Sequence, residues 1–171
     1  VEETAVTTQL RPEEAQSMFI HFKDILDSFS PKLPFGIAQV GKAFRNEITP
    51  RDFTYRLREF EIVEFEYFIH PDTWHEVYEM WRTEMLKYIE KIGLDSTKIR
   101  WREHEDFERS HYSTKTMDVE YNYPFGWKEM FGLAYRTDFD LKNHMEHSGK
   151  DLRYLDPKTN EKYIPHVIEP T

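Results

Sequence analysis

The stretch Gly41–Glu66, GKAFRNEITPRDFTYRLREFEIVEFE, decides how this chain is read. It carries four arginines and five glutamates beside four phenylalanines. Two strand-like runs, roughly 36–47 and 55–69, meet in the loop "ITPRDFT", which Pro50 marks. Residues two apart on a strand share a face. On the first run Gly41, Ala43, Arg45 and Glu47 therefore point one way. On the second, Arg56, Arg58, Phe60, Ile62, Glu64, Glu66 and Phe68 do. The plain account is a solvated sheet face with cross-strand Arg–Glu pairs, worth roughly 0.2–1 kcal/mol each. The alternative is a cradle. Small residues leave room for a ligand, arginines grip phosphate or carboxylate oxygens in pairs, a phenylalanine stacks on a planar base, and a carboxylate accepts from an exocyclic amine.

Outward from that stretch the chain alternates helix and strand signals. Before it, Ala15, Met18, Phe19, Phe22, Ile25, Leu26 and Phe29 recur at three- and four-residue steps, the mark of one helix face, and Pro31 and Pro34 end the pattern. The opening "VEETAVTTQLRP" reads as a strand leading into a turn. After the stretch, Thr73–Ile92 reads as a second helix, with Asp72 as N-cap, Gly93 past its end, and a stripe of Trp74, Val77, Tyr78, Trp81, Met85, Tyr88 or Ile89, and Ile92. At this spacing the stripe is core. Beyond Lys98, "KIRWRE", "TMDVEYNY", "EMFGLAYR", "DLRYLD" and "EKYIPHVIE" read as strands, "DFDLKNHMEH" as a short helix and "DPKTN" as a hairpin turn. The expected fold is α+β, a mainly antiparallel sheet flanked by helices.

Composition narrows the function classes. With 39% hydrophobic and 16% aromatic residues in 171, the chain builds a real core and reads as one domain or part of one. A net charge of −9 argues against a free-standing nucleic-acid binder and against DNA as a partner, though a local patch can still meet RNA. The absence of Cys removes disulfides and thiolate metal sites. No apolar run is long enough for a membrane span, and the acidic N-terminus is no signal peptide, so the expectation is a soluble, cytoplasmic protein. No Walker loop, G-x-G-x-x-G or nucleophile elbow occurs. His144 and His147 lack a matching third metal ligand and read as surface residues.

"FRNE", a loop and "RLREFE" resemble motif 2 of the class II aminoacyl-tRNA synthetases, F-R-x-E, a loop and R-x-x-x-F. Longer runs resemble the glycyl-tRNA synthetase family: "LRPEEAQSMFIHFKDIL", "KLPFGIAQVGKAFRNEITPRDF", "HYSTKTMDVEYNYPFGWKEMFGLAYRTDFDLKNHMEHSGKDL" and "NEKYIPHVIEPT". These blocks cover nearly the whole chain, apart from the second helix and its flanks. The resemblance implies a class II catalytic-domain fold and ATP-dependent activation of glycine, followed by transfer to tRNA(Gly). It implies that Arg45 is catalytic, holding the ATP α-phosphate and the amino-acid carboxylate. Glu47 would read the adenine amine, Phe60 would lie under the base, and Arg56 would meet the γ-phosphate. Glu129 would bind ATP-linked Mg2+. Glu13, Glu64 and Glu169 would surround the glycine amine, with Thr171 at the pocket floor where the family usually has Ser.

The same resemblance implies that residues 1–171 are a partial catalytic domain. Motif 1, which makes the homodimer of the full-length family, falls before this region. The motif 3 arginine and the anticodon-binding domain fall after it. The chain departs from the family at Glu14 and Ser17, commonly Thr and Gly, and at Ile62 and Val63, commonly Gln and Met. A second expectation, from another class, is a synthetase-like binding or regulatory protein without catalysis. Joint retention of Arg45, Glu47, Phe60 and Glu129 argues against it.

Overall fold

A computed structural model describes residues 8–171. Most of the opening strand expectation lies outside the described residues, and 8–12 form no strand. Helix α1 (Ala15–Phe29) buries Ala15, Met18, Phe19 and Phe22 of the expected stripe, with Ile25 and Leu26 half-buried, whereas Phe29, at the last position of the helix, is exposed. It packs on the first strands through Phe22 and Phe68, whose ring centroids are 4.5 Å apart. Helix α2 (Trp74–Lys91) buries Tyr78, Met85 and Ile89, whereas Tyr88 is exposed, so Ile89 is the inward member of that pair; Ile92, also expected in the stripe, lies just past the helix and is exposed. Asp72 does not cap α2. It lies in a 3-10 turn, Pro71–Thr73, where the His70 ring accepts its N–H at 3.2 Å. No described helix is long and apolar enough to cross a membrane.

Between the helices runs one sheet of six strands. They are β1 (Phe35–Phe44), β2 (Glu59–Ile69), β3 (Ile99–Glu103), β4 (Lys115–Tyr123), β5 (Gly126–Thr137) and β8 (His166–Pro170). Their order is β1-β2-β8-β5-β4-β3, every neighbouring pair antiparallel. The expected α+β class with a mainly antiparallel sheet is what the molecule has. Strands β6 (Tyr154–Leu155) and β7 (Lys162–Tyr163) form a separate two-stranded hairpin around the expected turn, shorter than the runs "DLRYLD" and "EKYIPHVIE" suggest. Helix α3 (Phe139–Ser148) follows β5.

One face of the sheet is closed by α2. Ile69, Met117, Val119, Leu133, Tyr135 and Ile168 pack there against Tyr78, Met85 and Ile89. The Tyr78 hydroxyl donates to the Leu133 carbonyl at 2.9 Å, and Trp74 stacks on Tyr135 at 4.4 Å. The opposite face is closed only at one end. There Phe68 and Val167 meet Ala15, Phe19 and Phe22 of α1, Leu141 of α3, and Leu152. The rest of that face carries the polar residues of interest.

Two irregularities in β5 set what reaches that face. Val119 pairs with Phe131 but Glu120 pairs with Glu129, so Met130 is an extra residue, a β-bulge. Tyr135 pairs with Ile168 but Thr137 pairs with Val167, so Arg136 is a second extra residue, beside Thr137 at φ 56°. The central strand β8 has its own interruption. Thr171 and Gly132 exchange both backbone bonds at 2.9 Å, so the alternation of an antiparallel ladder turns the Pro170 nitrogen toward β2. Proline has no N–H to give. The β2–β8 ladder accordingly holds only Tyr67↔Ile168, Phe68↔Val167 and Ile69↔His166, and the two strands part below it.

Candidate functional site

Motif 2 is a hairpin whose return differs from simple alternation. Strand β1 ends at Phe44 and β2 begins at Glu59, so Arg45, Glu47, Arg56 and Arg58 all lie in the connecting segment. An isolated bridge pairs Arg51 with Arg56, and Asp52 and Phe53 adopt positive φ at the tip. The segment is held by its own charges. Arg45 N–H bonds the Arg58 carbonyl at 3.0 Å, Arg58 Nε donates to the Glu47 carbonyl at 2.9 Å, and Arg56 Nη1 meets both Glu47 carboxylate oxygens at 3.3 and 3.4 Å. The Arg45 guanidinium sits 5.2 Å over the Phe60 ring, a cation–π contact. Tyr55 ties the loop to the next hairpin. Its hydroxyl donates to the Glu129 carbonyl at 2.9 Å, and its ring meets Tyr123 and Phe125, each at 5.5 Å.

Glu129 shows what the bulge does. By strict alternation it would share a face with Phe131, Leu133 and Tyr135, which look toward α2. The extra Met130 instead pairs it with Glu120, on the side that carries Asp118. Solvent reaches the Glu129 side chain, yet enough protein crowds it that lost hydration raises its pKa. Asp118 adds to the rise, while His104, Arg45 and Arg56 oppose it. Asp118 is taken by His104 at 2.6 Å and Glu120 by Arg100 at 2.6 Å. Glu129 makes no ion pair among the described residues, which contain no cluster of three or more metal-ligating side chains. One unpaired carboxylate is not a metal cage. It suits a Mg2+ ion that is held mainly by phosphates and water.

Next to this lies a buried acidic cluster. Glu64 accepts the Glu14 N–H at 2.6 Å and so satisfies an orphan donor at the start of α1. Burial raises the Glu64 pKa, the bond from the Glu14 amide opposes that, and Glu169 and Glu13 add to it. Arg136, 1% exposed, is the cluster's cation. It gives Nε and Nη2 to the two Asp140 oxygens at 2.8 and 2.9 Å and Nη1 to Glu169 at 2.8 Å. Burial works against its charge, but the bonds to Asp140 and the attraction of Glu169 and Glu66 more than offset it, so it stays firmly protonated. Glu66 is 0% exposed, and neither of its oxygens has a hydrogen-bond partner among the described residues. Glu13 is half-buried at the rim and bonds Gln16 at 3.2 Å, which reaches Asp140 at 3.2 Å.

All the expected site residues therefore converge on one sheet face. Arg45, Glu47, Arg56 and Phe60 gather about the motif 2 segment, with Glu129 within its electrostatic reach. Glu13, Glu64 and Glu169 gather where β2 and β8 part, and Thr171 follows β8 with its backbone on Gly132. Sequence reading missed Arg136, Asp140, Glu66 as a cluster member, and Tyr55. It also missed what Glu14 does. Fully buried, Glu14 takes the Gln39 amide at 2.5 Å, pairs with Arg11 at 2.8 Å, and shares Gln39 with Ser17 at 2.5 Å. The two departures at Glu14 and Ser17 thus converge on one glutamine of β1. The His144 ring meets the Gln16 side-chain oxygen at 2.8 Å.

An antiparallel six-stranded sheet with an arginine-bearing motif 2 hairpin beside an acidic pocket is the class II synthetase core. Residues 2–167 match the family described as tRNA synthetase class II core domain (G, H, P, S and T), and the chain belongs to it. Among curated relatives, a glycine–tRNA ligase of Clostridium tetani is 54% identical over 162 residues, covering 95% of this chain and 35% of its own length. One from Geobacillus thermodenitrificans is 51% identical over 170 residues, covering 99% and 36%. The chain thus spans about a third of the curated relatives it matches. A solved Giardia lamblia prolyl-tRNA synthetase, in complex with prolyl-adenylate, superposes with a TM-score of 0.73 at 18% identity, over 94% of this chain and 31% of that one. That likeness speaks to the fold alone.

Proposed function

We propose that this chain is the motif 2 part of the aminoacylation domain of a glycine–tRNA ligase. The observation that carries the proposal is the juxtaposition of an Arg45–Phe60 stack with a carboxylate cluster, in a chain about half identical to glycine–tRNA ligases. In the first step a glycine carboxylate oxygen attacks the ATP α-phosphorus. The new acyl–phosphate bond forms as the bond to pyrophosphate breaks. The step needs positioning and neutralised charge more than a base. Arg45 serves both reacting groups, Phe60 carries the adenine, Glu47 accepts from its amine, and Arg56 meets the outer phosphates. Binding of ATP then replaces the long Arg56–Glu47 contact with contacts to the nucleotide. Glu129, together with the phosphates, would hold a Mg2+ ion, which when bound would supply positive charge to the leaving pyrophosphate. Glu13, Glu64 and Glu169 receive the ammonium, and a filled pocket with Thr171 at its floor would exclude a larger side chain. In the second step a hydroxyl of the terminal ribose of tRNA(Gly) attacks the acyl carbon and AMP leaves. The full-length protein acts as a cytoplasmic homodimer, a reading supported by the family resemblance.

Calorimetric titration with glycyl-, alanyl- and seryl-sulfamoyl-adenosine tests the proposal. One methylene excluded from a filled pocket is worth about tenfold or more. Glycyl binding should exceed alanyl binding by at least that, and Arg45→Ala should abolish it. Equal binding of all three, or none, overturns the proposal in favour of a synthetase-like binding protein.

A further inference from the structure

The acidic cluster contains a carboxyl that the proposed chemistry does not yet use. The last β2–β8 pair is Tyr67↔Ile168, and the same register, one step on, sets Glu66 opposite Glu169 where the ladder stops at Pro170. Two carboxyls thus face each other across neighbouring strands, an arrangement that repels when both are ionised. The charged groups around Glu66 come from every element packed there. Glu64 lies on its own strand, Glu169 on β8, Arg136 on β5 and Asp140 on α3, while Glu13 at the start of α1 faces Glu64 and Glu169. Arg136 spends its bonds on Asp140 and Glu169. The backbone amide at the start of α1 goes to Glu64. Among the described residues of the cluster, Glu66 alone has no donor on either oxygen, and its side chain is closed off from bulk solvent.

An ionised carboxylate in such a place is costly, and the ordinary remedy is a proton. We propose that Glu66 carries a proton in the ligand-free protein and releases it when an amino acid's ammonium group enters the cluster, so that the ammonium takes the proton's place. Burial first, and then the Glu169 carboxylate, push the Glu66 carboxyl well above the usual range, in keeping with this. The exchange leaves the cluster's net charge unchanged, since one positive charge leaves as another arrives. Glu66 is then a positioning residue that selects for charge: a hydroxy-acid analogue brings no cation and cannot discharge it. The idea rests on the glycine reading above and deepens it.

The test is calorimetry on the chain at about pH 6.5, below the ordinary α-amino range, in two buffers of unlike ionisation enthalpy. The probes are glycyl-sulfamoyl-adenosine and its glycolyl counterpart, which has a hydroxyl for the ammonium. Wild type should release close to one proton on binding the glycyl probe and none on the glycolyl probe. Its glycyl affinity should rise by up to about tenfold per pH unit while Glu66 is still protonated. Glu66→Gln, an isostere, should still bind the glycyl probe but without proton release or that rise. Glycyl binding by wild type without proton release overturns the role of Glu66 and leaves the glycine reading standing. The same release from Glu66→Gln overturns it too, by placing the proton elsewhere. Failure of wild type to prefer the glycyl probe to the glycolyl one sinks both. Should the variant not fold, the two probes on wild type still decide.

Discussion

Arg136→Met should unfold this chain more readily than any loss of its surface ion pairs. The guanidinium is 1% exposed and makes three charge-assisted bonds, two to Asp140 and one to Glu169. Met keeps much of the apolar stem against Phe19, over whose ring the guanidinium lies at 5.6 Å. It leaves Asp140, Glu169 and Glu66 facing one another without a cation. Removing one partner of a buried pair typically costs about 3–5 kcal/mol. For a chain of this size each kcal/mol moves Tm by roughly 2–4 °C, so the expected drop at neutral pH is about 6–20 °C. The pH dependence has a definite sign. Without Arg136 the folded carboxyls have pKa values raised above their unfolded ones, so the folded state binds more protons between the two. The penalty is thus small below the ordinary carboxyl range and grows as pH rises through it. Urea unfolding of wild type and variant from about pH 4.5 to 7.5, followed by circular dichroism, measures this. The Asp140→Asn, Glu169→Gln and Arg136→Met triple variant should recover part of the loss and most of the pH dependence. A single variant within about 1 kcal/mol of wild type at neutral pH, or a deficit that ignores pH, would refute the view that Arg136 neutralises this cluster.

Two smaller perturbations probe neighbouring devices. A Cβ at Gly41 would collide with Glu14 Oε1 and come within 2.5 Å of Arg11 Nη2, so Gly41→Ala should cost about 1–3 kcal/mol. Combined with Glu14→Ala it should cost clearly less than the two singles added, and strict additivity in urea titrations would mean that the two positions do not meet. Tyr55→Phe keeps the rings on Tyr123 and Phe125 but drops the bond to the Glu129 carbonyl. It should weaken binding of a non-hydrolysable ATP analogue several-fold, about 0.5–1.5 kcal/mol, with Tm unchanged. An unchanged affinity would show that the tie does not order the loop.

What the chain disclosed in advance follows physical lines. The α1 and α2 stripes were legible because Phe19, Phe22, Tyr78 and Met85 repeat at helical steps, and a helix face needs only local spacing. Motif 2 was legible as a hairpin, but Arg56 and Arg58 proved to be loop residues, since the tip's positive φ at Asp52 and Phe53 delays β2 until Glu59. Glu66 carried a usable signal, for it shares a face with Phe68, a core residue, and a carboxylate two residues from core on the same face invites the question of its partner. Arg136 and Asp140 stand four apart, yet the pair spans the end of β5 and the start of α3, where helical spacing does not apply. Met130 carried no signal at all. No glycine or proline marks the bulge, and it follows from pairing with β4 rather than from local sequence.

That bulge gives β5 something like a reading frame. Residues 126–129 form a short cassette whose inside and outside depend on whether Met130 stands outside the ladder or within it. Were Met130 to enter the ladder opposite Glu120, the cassette would turn over, sending Glu129 toward α2 and Lys128 toward the opposite face, while everything from Phe131 onward kept its place. Deletion of Met130 would not do this, for Glu129 would then adjoin Phe131 and still stand opposite Glu120, on the face it has now. Comparison of related chains position by position is misled in both directions. A one-residue gap here leaves the charge where it was, whereas a change of pairing with no gap at all would exchange a carboxylate for an ammonium group at the same point in space.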